Sequence, residues 1–270
     1  MKDHTDNKTS VILFGSLGVA VDCLEWLMSQ PSFEIKGVVC SKAPMTKWRE
    51  AVGDRDMLPA ATQYGIPILT MEDVLTIQAD LGLSVRFHQI LKQSHLDRFS
   101  MGVINLHGAP LPEMRGSMTD AMAIIENRDY YGTSLHWMDT GIDSGNILAV
   151  ERFPITSEDT VYDLFVRSNR IGLELIQTKL NAIIRGDIHG ESQEMLLSST
   201  GRTSKTYTKK EVMAWKRVVP ETREEQLWRV VRAFQFPGQE PAYIETREGR
   251  IYLSAGSNNK GLGEMSLSEG

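Results

Sequence analysis

The chain has 270 residues, 41% hydrophobic and 24% charged, with a formal net charge of -6. That is the make-up of a globular protein large enough to bury its own core, and its acidity argues against a broad phosphate-gripping surface for long nucleic acid. Two cysteines, Cys23 and Cys40, make neither a disulfide framework nor a zinc pattern, and no apolar run approaches a membrane span. With no leader pattern visible, a reduced, cytoplasmic setting is expected.

After a polar lead, VILFG (11–15) reads as a buried strand ending in glycine. VAVDCLEWLMS (19–29) follows with helical spacing of Val19, Cys23, Leu24 and Leu27. FEIKGVVCS (33–41), GIPIL (65–69), GLSVRF (82–87) and MGVIN (101–105) are further strands, with helical stretches around 58–64 and 72–77. This alternation predicts an α/β fold: a Rossmann-like, mainly parallel sheet flanked by helices. GTSLHWM (132–138) and NILAVERF (146–153) are two more strands, joined by DTGIDSG (139–145). Thr156 and Asp159 resemble a capping box for a long helix with apolar residues from Val161 to Ile184, closed by Arg185-Gly186.

Polar ESQEMLLSSTGRTSK (191–205) reads as a linker. It separates a first domain, residues 1–195, from a small C-terminal α/β subdomain, residues 196–270. There a helix near 223–234 precedes YIETREGRIYL (243–253), which alternates about Glu-Gly as a β-hairpin. SNNKGLGEMSLSEG (257–270) reads as a loose tail.

Ligands of an open α/β sheet sit beyond the carboxyl ends of its strands. VINLHGAPLPEMRG (103–116) runs from a strand into a loop marked by proline and glycine, placing Asn105 and His107 near such an end and on one side of an extended chain. An asparagine amide donates to an oxyanion without giving up a proton, and a histidine exchanges protons near neutral pH. Asp143, from the Asp/Gly-rich loop, could orient and charge-balance the imidazole. This trio contains no Ser or Cys nucleophile, which suits direct acyl transfer to an amine better than a covalent acyl-enzyme. Each residue also has a plain structural use, in turns or in satisfied packing. DTGIDSG lacks the spacing and terminal Glu of an EF-hand, and no metal is expected. FGSLG (14–18) lacks the G-x-G-x-x-G pattern, so its glycines read as packing positions. TSKTYTKKE (203–211) reads as a solvated surface that near a site could meet phosphate.

INLHGAPLPEMRG (104–116) followed by GTSLHWMDTGIDSGNIL (132–148) resembles the folate-dependent formyltransferase family, over about residues 11–185. The shared signature is Asn-x-His, Leu-Pro-x-x-Arg-Gly and a downstream Asp in a Gly-rich loop. The family's frequent His-Pro-Ser is His107-Gly108-Ala109 here, the aromatic before Arg-Gly is Met114, and RFHQIL (86–91) replaces a Tyr-Gly-containing loop. The resemblance implies N10-formyltetrahydrofolate as cosubstrate and a primary amine as acceptor. It implies a pterin lying against His88, Gln89, Ile90 and Leu91 and against Asp139, Gly141 and Ile142. Asn105 would steady the oxyanion, His107 would handle the amine proton or share that stabilisation, and Asp143 would orient the ring.

VVRAFQFPGQEPAYIETREGRIYL (230–253) looks like the C-terminal region of the sugar N-formyltransferases. This implies a nucleotide-linked, dTDP-linked amino sugar as acceptor, for O-antigen or a related surface polysaccharide, and a homodimer with no nucleic-acid or membrane partner. Methionyl-tRNA formyltransferase carries a longer, basic C-terminal barrel. Phe236 and Tyr243 would stack on a base, Lys209 or Arg232 would meet the diphosphate, and Arg115 would contact the substrate. The alternatives are glycinamide ribonucleotide or another amine as acceptor, or a non-catalytic nucleotide-sugar-binding module on the same fold.

Overall fold

The computed structural model describes residues 8–255 and the backbone of the strand Ser266–Glu269. The chain enters through β1 (Thr9–Phe14) and crosses by α1 (Gly18–Ser29) to the parallel strand β2 (Phe33–Val39). Two short helices, α2 (Lys47–Ala51) and α3 (Met57–Gln63), lead to β3 (Ile68–Leu69). Then come α4 (Met71–Val74), β4 (Leu81–Val85), α5 (Gln93–Leu96) and β5 (Val103–His107). β6 (Met114–Gly116) and α6 (Thr119–Ile125) precede the hairpin of β7 (Tyr130–Trp137) and β8 (Ile147–Pro154), and the long α7 (Val161–Ile184) follows. Beyond it lie α8 (Gln193–Thr200), β9 (Lys205–Tyr207), α9 (Lys209–Ala214) and β10 (Arg217–Val218). The last elements are α10 (Glu224–Ala233), β11 (Tyr243–Thr246), β12 (Gly249–Ser254) and β13 (Ser266–Glu269).

Seven strands form the main sheet in the order β3-β2-β1-β4-β5-β7-β8. Pairings among β1 to β5 are parallel, whereas β7 is antiparallel to both β5 and β8. This is the mainly parallel α/β sheet that the alternation predicts. Leu24 and Leu27 of α1 and Ile176 and Leu180 of α7 are buried with Val11, Leu13 and Leu83 in one cluster. Ile12, Phe14 and Val103 join Val74 and Leu96 in another. Burial on both faces explains the unbroken apolar runs of the central strands. Because β1 is flanked by β2 on one side and β4 on the other, a crevice opens beyond its carboxyl end. The turn there is close-packed: a Cβ on Gly15 would lie 2.5 Å from the Cβ of Ala20 and 2.8 Å from the Val85 carbonyl.

The C-terminal sheet, β10-β11-β12-β13, contains the expected hairpin as β11 and β12. It shares a hydrophobic cluster with the first part, in which Ala121 to Ile125 of α6 are buried together with Val230, Val231 and Ala233 of α10 and Leu253 of β12. β9 pairs in parallel with β6, so the loop after β5 is tied to the segment after α8.

Four expectations change. The long helix is capped by Thr160, whose side chain accepts from the Asp163 N–H while the Asp163 carboxylate accepts from Thr160 N–H at 2.8 Å. Thr156 and Asp159 make a separate turn upstream, where the Thr156 N–H donates to Asp159 at 2.7 Å and Arg167 holds the carboxylate. The expected linker holds α8, opened by Ser192, and buries Gln193. The lysine-rich stretch over 203–211 is not simply solvated surface, since β9 buries Tyr207. Part of the expected tail, Ser266–Glu269, pairs antiparallel with β12 and covers an otherwise open strand edge; residues 257–265 and 270 of that tail lie outside the described residues.

Candidate active site

Asn105 and His107 lie on β5, and Asp143 lies on the loop from β7 to β8, held in the left-handed region at φ 49°. In the β5/β7 register, Asn105 stands directly opposite His136. Four polar side chains therefore meet where the central strands end.

Their hydrogen bonds fix their orientations. His107 Nε2 is 2.9 Å from the Met114 carbonyl, which can only accept, so Nε2 carries the proton and Nδ1 keeps a lone pair in the neutral ring. That Nδ1 faces Asp143 Oδ1 at 3.6 Å. The other carboxylate oxygen accepts from the Gly116 N–H at 2.8 Å. The Ser84 hydroxyl donates to Asn105 Oδ1 at 2.8 Å, which turns the amide nitrogen toward His136 Nε2, 3.1 Å away. His136 Nδ1 in turn donates to the Trp137 carbonyl at 2.8 Å, so its Nε2 accepts one Asn105 N–H. The second N–H of that amide has no partner in this network and is free to stabilise developing negative charge.

Electrostatics follow from this packing. Burial pushes the His107 imidazole below its ordinary value, and the Asp143 carboxylate only partly offsets that. Burial alone would raise Asp143, but His107, His136 and the Gly116 N–H outweigh it and hold the carboxyl at about 2. The resting pair is thus a carboxylate beside a neutral imidazole. Such a ring can take a proton on Nδ1 and then be charge-balanced by its neighbour.

Asn105, His107 and Asp143 border a cavity of about 430 Å³ that also touches Leu17, Phe87 and Ile142, with His136 set behind them. Of the residues expected against a pterin, His88 and Ile142 line it. Gln89 and Ile90 are exposed beside it, while the Leu91 side chain is buried in the core, 1% exposed. Asp139 turns back on its own loop, accepting from the Gly141 N–H at 2.9 Å and from Ser144 Oγ at 2.7 Å, so these residues shape the loop.

The five residues expected at the acceptor lie outside this cavity. Arg115 spends its guanidinium on Gln193 Oε1, at 3.0 and 2.7 Å. Lys209 is exposed in the first turn of α9. Arg232 donates to the carbonyls of Thr156 and Asp159. Phe236 sits among Trp48, Tyr162 and Phe165, and Tyr243 packs against Tyr252 with Arg250 over its ring. None of the five lines the cavity that holds Asn105.

Sequence reasoning misses His136, Gln193, Arg86 and Asp120. A histidine inside the β7 strand, YYGTSLHW, is the one available signal for His136. Gln193 sits in a polar stretch, and nothing local marks it. Its amide nitrogen donates to the Asp143 and Gly145 carbonyls, both at 2.8 Å, so α8 braces the Asp143 loop.

Residues 68–180, which hold Asn105, His107, His136 and Asp143, match the family model described as formyl transferase. The match marks this segment, somewhat under half of the chain, as a formyl transferase domain. The chain is 31% identical over 201 residues to the methionyl-tRNA formyltransferase of Coxiella burnetii, an alignment covering 71% of this chain and 62% of that protein. The chain spans about 62% of the length of the curated relatives it matches. Its formyl transferase fold is shared with WlaRD, a sugar 3N-formyl transferase solved with dTDP and 5-N-formyl-THF. That likeness has a TM-score of 0.72 at 23% identity and covers 95% of this chain and 89% of the other. The N-formyltransferase of Helicobacter canadensis, solved with folinic acid and dTDP-3-aminofucose, is similar with a TM-score of 0.73 at 21% identity, covering 95% and 90%.

Proposed function

We propose that this chain transfers the formyl group of N10-formyltetrahydrofolate to the amine of a nucleotide-linked, dTDP-linked amino sugar. The observation that carries the reading is the meeting of Asn105, His107 and Asp143 at one cavity inside a formyl transferase domain. The cavity wall mixes apolar surface from Leu17, Phe87 and Ile142 with the polar groups of His88, Asn105 and Asp143, which fits a flat heteroaromatic donor. When bound, that donor supplies a formyl carbon attached to nitrogen. The free Asn105 N–H would then donate to the carbonyl oxygen as the amine attacks and charge builds there. His107 Nδ1 would accept the proton the amine sheds, with Asp143 balancing the resulting imidazolium, and would return it to the donor nitrogen as the bond from that nitrogen to the formyl carbon breaks and the deformylated folate leaves.

The acceptor is where the relatives differ. The curated sequences are methionyl-tRNA formyltransferases, and their alignments cover between 51% and 71% of this chain. The two sugar N-formyltransferase structures cover 95% of it and so include its C-terminal part. That coverage, with the net charge of -6, favours the sugar nucleotide over tRNA. The reading extends to a cytoplasmic homodimer serving a surface polysaccharide such as O-antigen.

The test is a panel. Purified protein is incubated with the formyl donor and, separately, with dTDP-linked 3-amino and 4-amino sugars, glycinamide ribonucleotide and methionyl-tRNA, and the products are weighed. A dTDP-sugar heavier by one formyl group is expected. Formylation of only the ribonucleotide or only the tRNA overturns the acceptor, and binding of a sugar nucleotide without turnover overturns the enzyme.

A further inference from the structure

Arg86 has no part in the reading above, and its setting is unusual. It directly follows β4 in the left-handed region at φ 54°, where a long side chain is uncommon. Its guanidinium lies against Gly108, and a Cβ built on that glycine would overlap it. Gly108 stands where the resembled family often has proline, so the departure from the family pattern is the space Arg86 occupies. On its other side, Cζ sits 5.2 Å from the centroid of the Phe165 ring.

Several other part-buried arginines of this fold are paired, although Arg229 on α10 leaves a buried Nε without a partner. Arg49 is paired with Asp54, Arg115 with Gln193, Arg152 with Glu113 and Arg167 with Asp159. Among the described residues, Arg86 makes no hydrogen bond and no ion pair within 4 Å, which leaves its five N–H donors available to a ligand. It lines the same cavity as Asn105, His107 and Asp120. The Asp120 carboxylate accepts from the Ala121 N–H at 2.9 Å, and burial pushes it up while the charge of Arg86 partly offsets that.

We propose that Arg86 is the specificity residue of the acceptor side, seating an anionic group of the acceptor, a phosphate or a carboxylate, within one residue of His107, while Asp120 takes a hydroxyl of the same molecule. This rests on the reading that the acceptor amine meets Asn105, His107 and Asp143. The acceptor is assigned, and not the folate donor, because Arg86 lies against Gly108, the residue next to His107, and against Phe165. A guanidinium fork matches both oxyanion types, whose sources would be the diphosphate of a sugar nucleotide or an acid group on the sugar itself.

The test uses the full chain and two readouts. First, inorganic pyrophosphate and malonate are titrated calorimetrically into wild type, Arg86→Gly and Gly108→Ala. Glycine suits the left-handed backbone, so Arg86→Gly keeps its thermal midpoint, and Gly108→Ala displaces the guanidinium without removing its charge. At least one anion is expected to bind wild type and to bind both variants about tenfold more weakly. Preference for pyrophosphate assigns the diphosphate, and preference for malonate assigns a sugar carboxylate. Equal binding by wild type and Arg86→Gly, or no binding by wild type, overturns the proposal.

Second, steady-state kinetics of Arg86→Gly are expected to raise the acceptor KM about tenfold and leave the donor KM unchanged. A rise in the donor KM alone overturns the assignment to the acceptor. The titration needs no turnover. A chain that formylates nothing in the panel yet loses anion binding with Arg86 keeps this inference and loses the proposed function.

Discussion

His107 is useful because its neighbours leave it one free nitrogen. The Met114 carbonyl takes the Nε2 proton, and Nδ1 is left facing Asp143 at 3.6 Å. Burial favours the neutral ring, so the proton-accepting form persists below the ordinary imidazole value of 6.5. The acid limb of kcat/KM is therefore expected below pH 6.5. Asp143→Asn, which keeps an acceptor for the Gly116 N–H but removes the charge, should push that limb lower still and cut turnover by roughly a hundredfold. The same carboxylate contributes to stability. Its folded value of about 2 lies under the ordinary 3.8, so its contribution, about 2 kcal/mol, is complete above pH 3.8 and is lost as pH falls toward 2. Denaturant titrations of wild type and Asp143→Asn across that window should show the stability gap closing. A gap that does not change with pH would mean that Asp143 is not held as described.

At the scale of elements, the start of α7 turns on a repeated pattern. Thr156-x-x-Asp159 and Thr160-x-x-Asp163 both satisfy the sequence rule for a capping box, and the second is the cap. In the first pair the bond runs from the Thr156 backbone N–H, which alanine would retain. Thr160→Ala should therefore cost about 1 kcal/mol by urea denaturation and Thr156→Ala clearly less. Equal losses would contradict the assignment of the cap.

The same contrast shows what a sequence can carry. β1, β2, β4 and β5 are legible because burial on both faces demands apolar runs, and α7 because its buried stripe repeats at helical spacing. α8 and β9 are not legible. Only residues such as Gln193 and Tyr207 turn inward from those polar stretches, and the partners that bury them lie far away in the chain. Asn105, His107 and Asp143 stand out as a motif in sequence. The role of His136 emerges only from the β5/β7 register, and that of Arg86 only from its backbone angle and the gap at Gly108.

Across the whole molecule, the C-terminal part is built into the site's foundations. The Ser117 N–H donates to the Tyr207 carbonyl at 2.9 Å, next to the Gly116 that holds Asp143. Gln193 joins Arg115 to the Asp143 loop. α6, which follows this loop, shares its buried face with α10. Neither part can expose its half of that cluster without uncovering the other, so local opening of one should cost most of the stability of both. A single calorimetric transition is expected, with calorimetric and van't Hoff enthalpies in agreement. Val231→Asp, a charge placed at a position 1% exposed in the shared cluster, should lower that one midpoint sharply and not split it. Two resolved transitions in the wild type, or a lower transition in Val231→Asp that leaves the fold around Asp143 intact, would show that the C-terminal part melts on its own and that the bracing of the site through Tyr207 and Gln193 is dispensable.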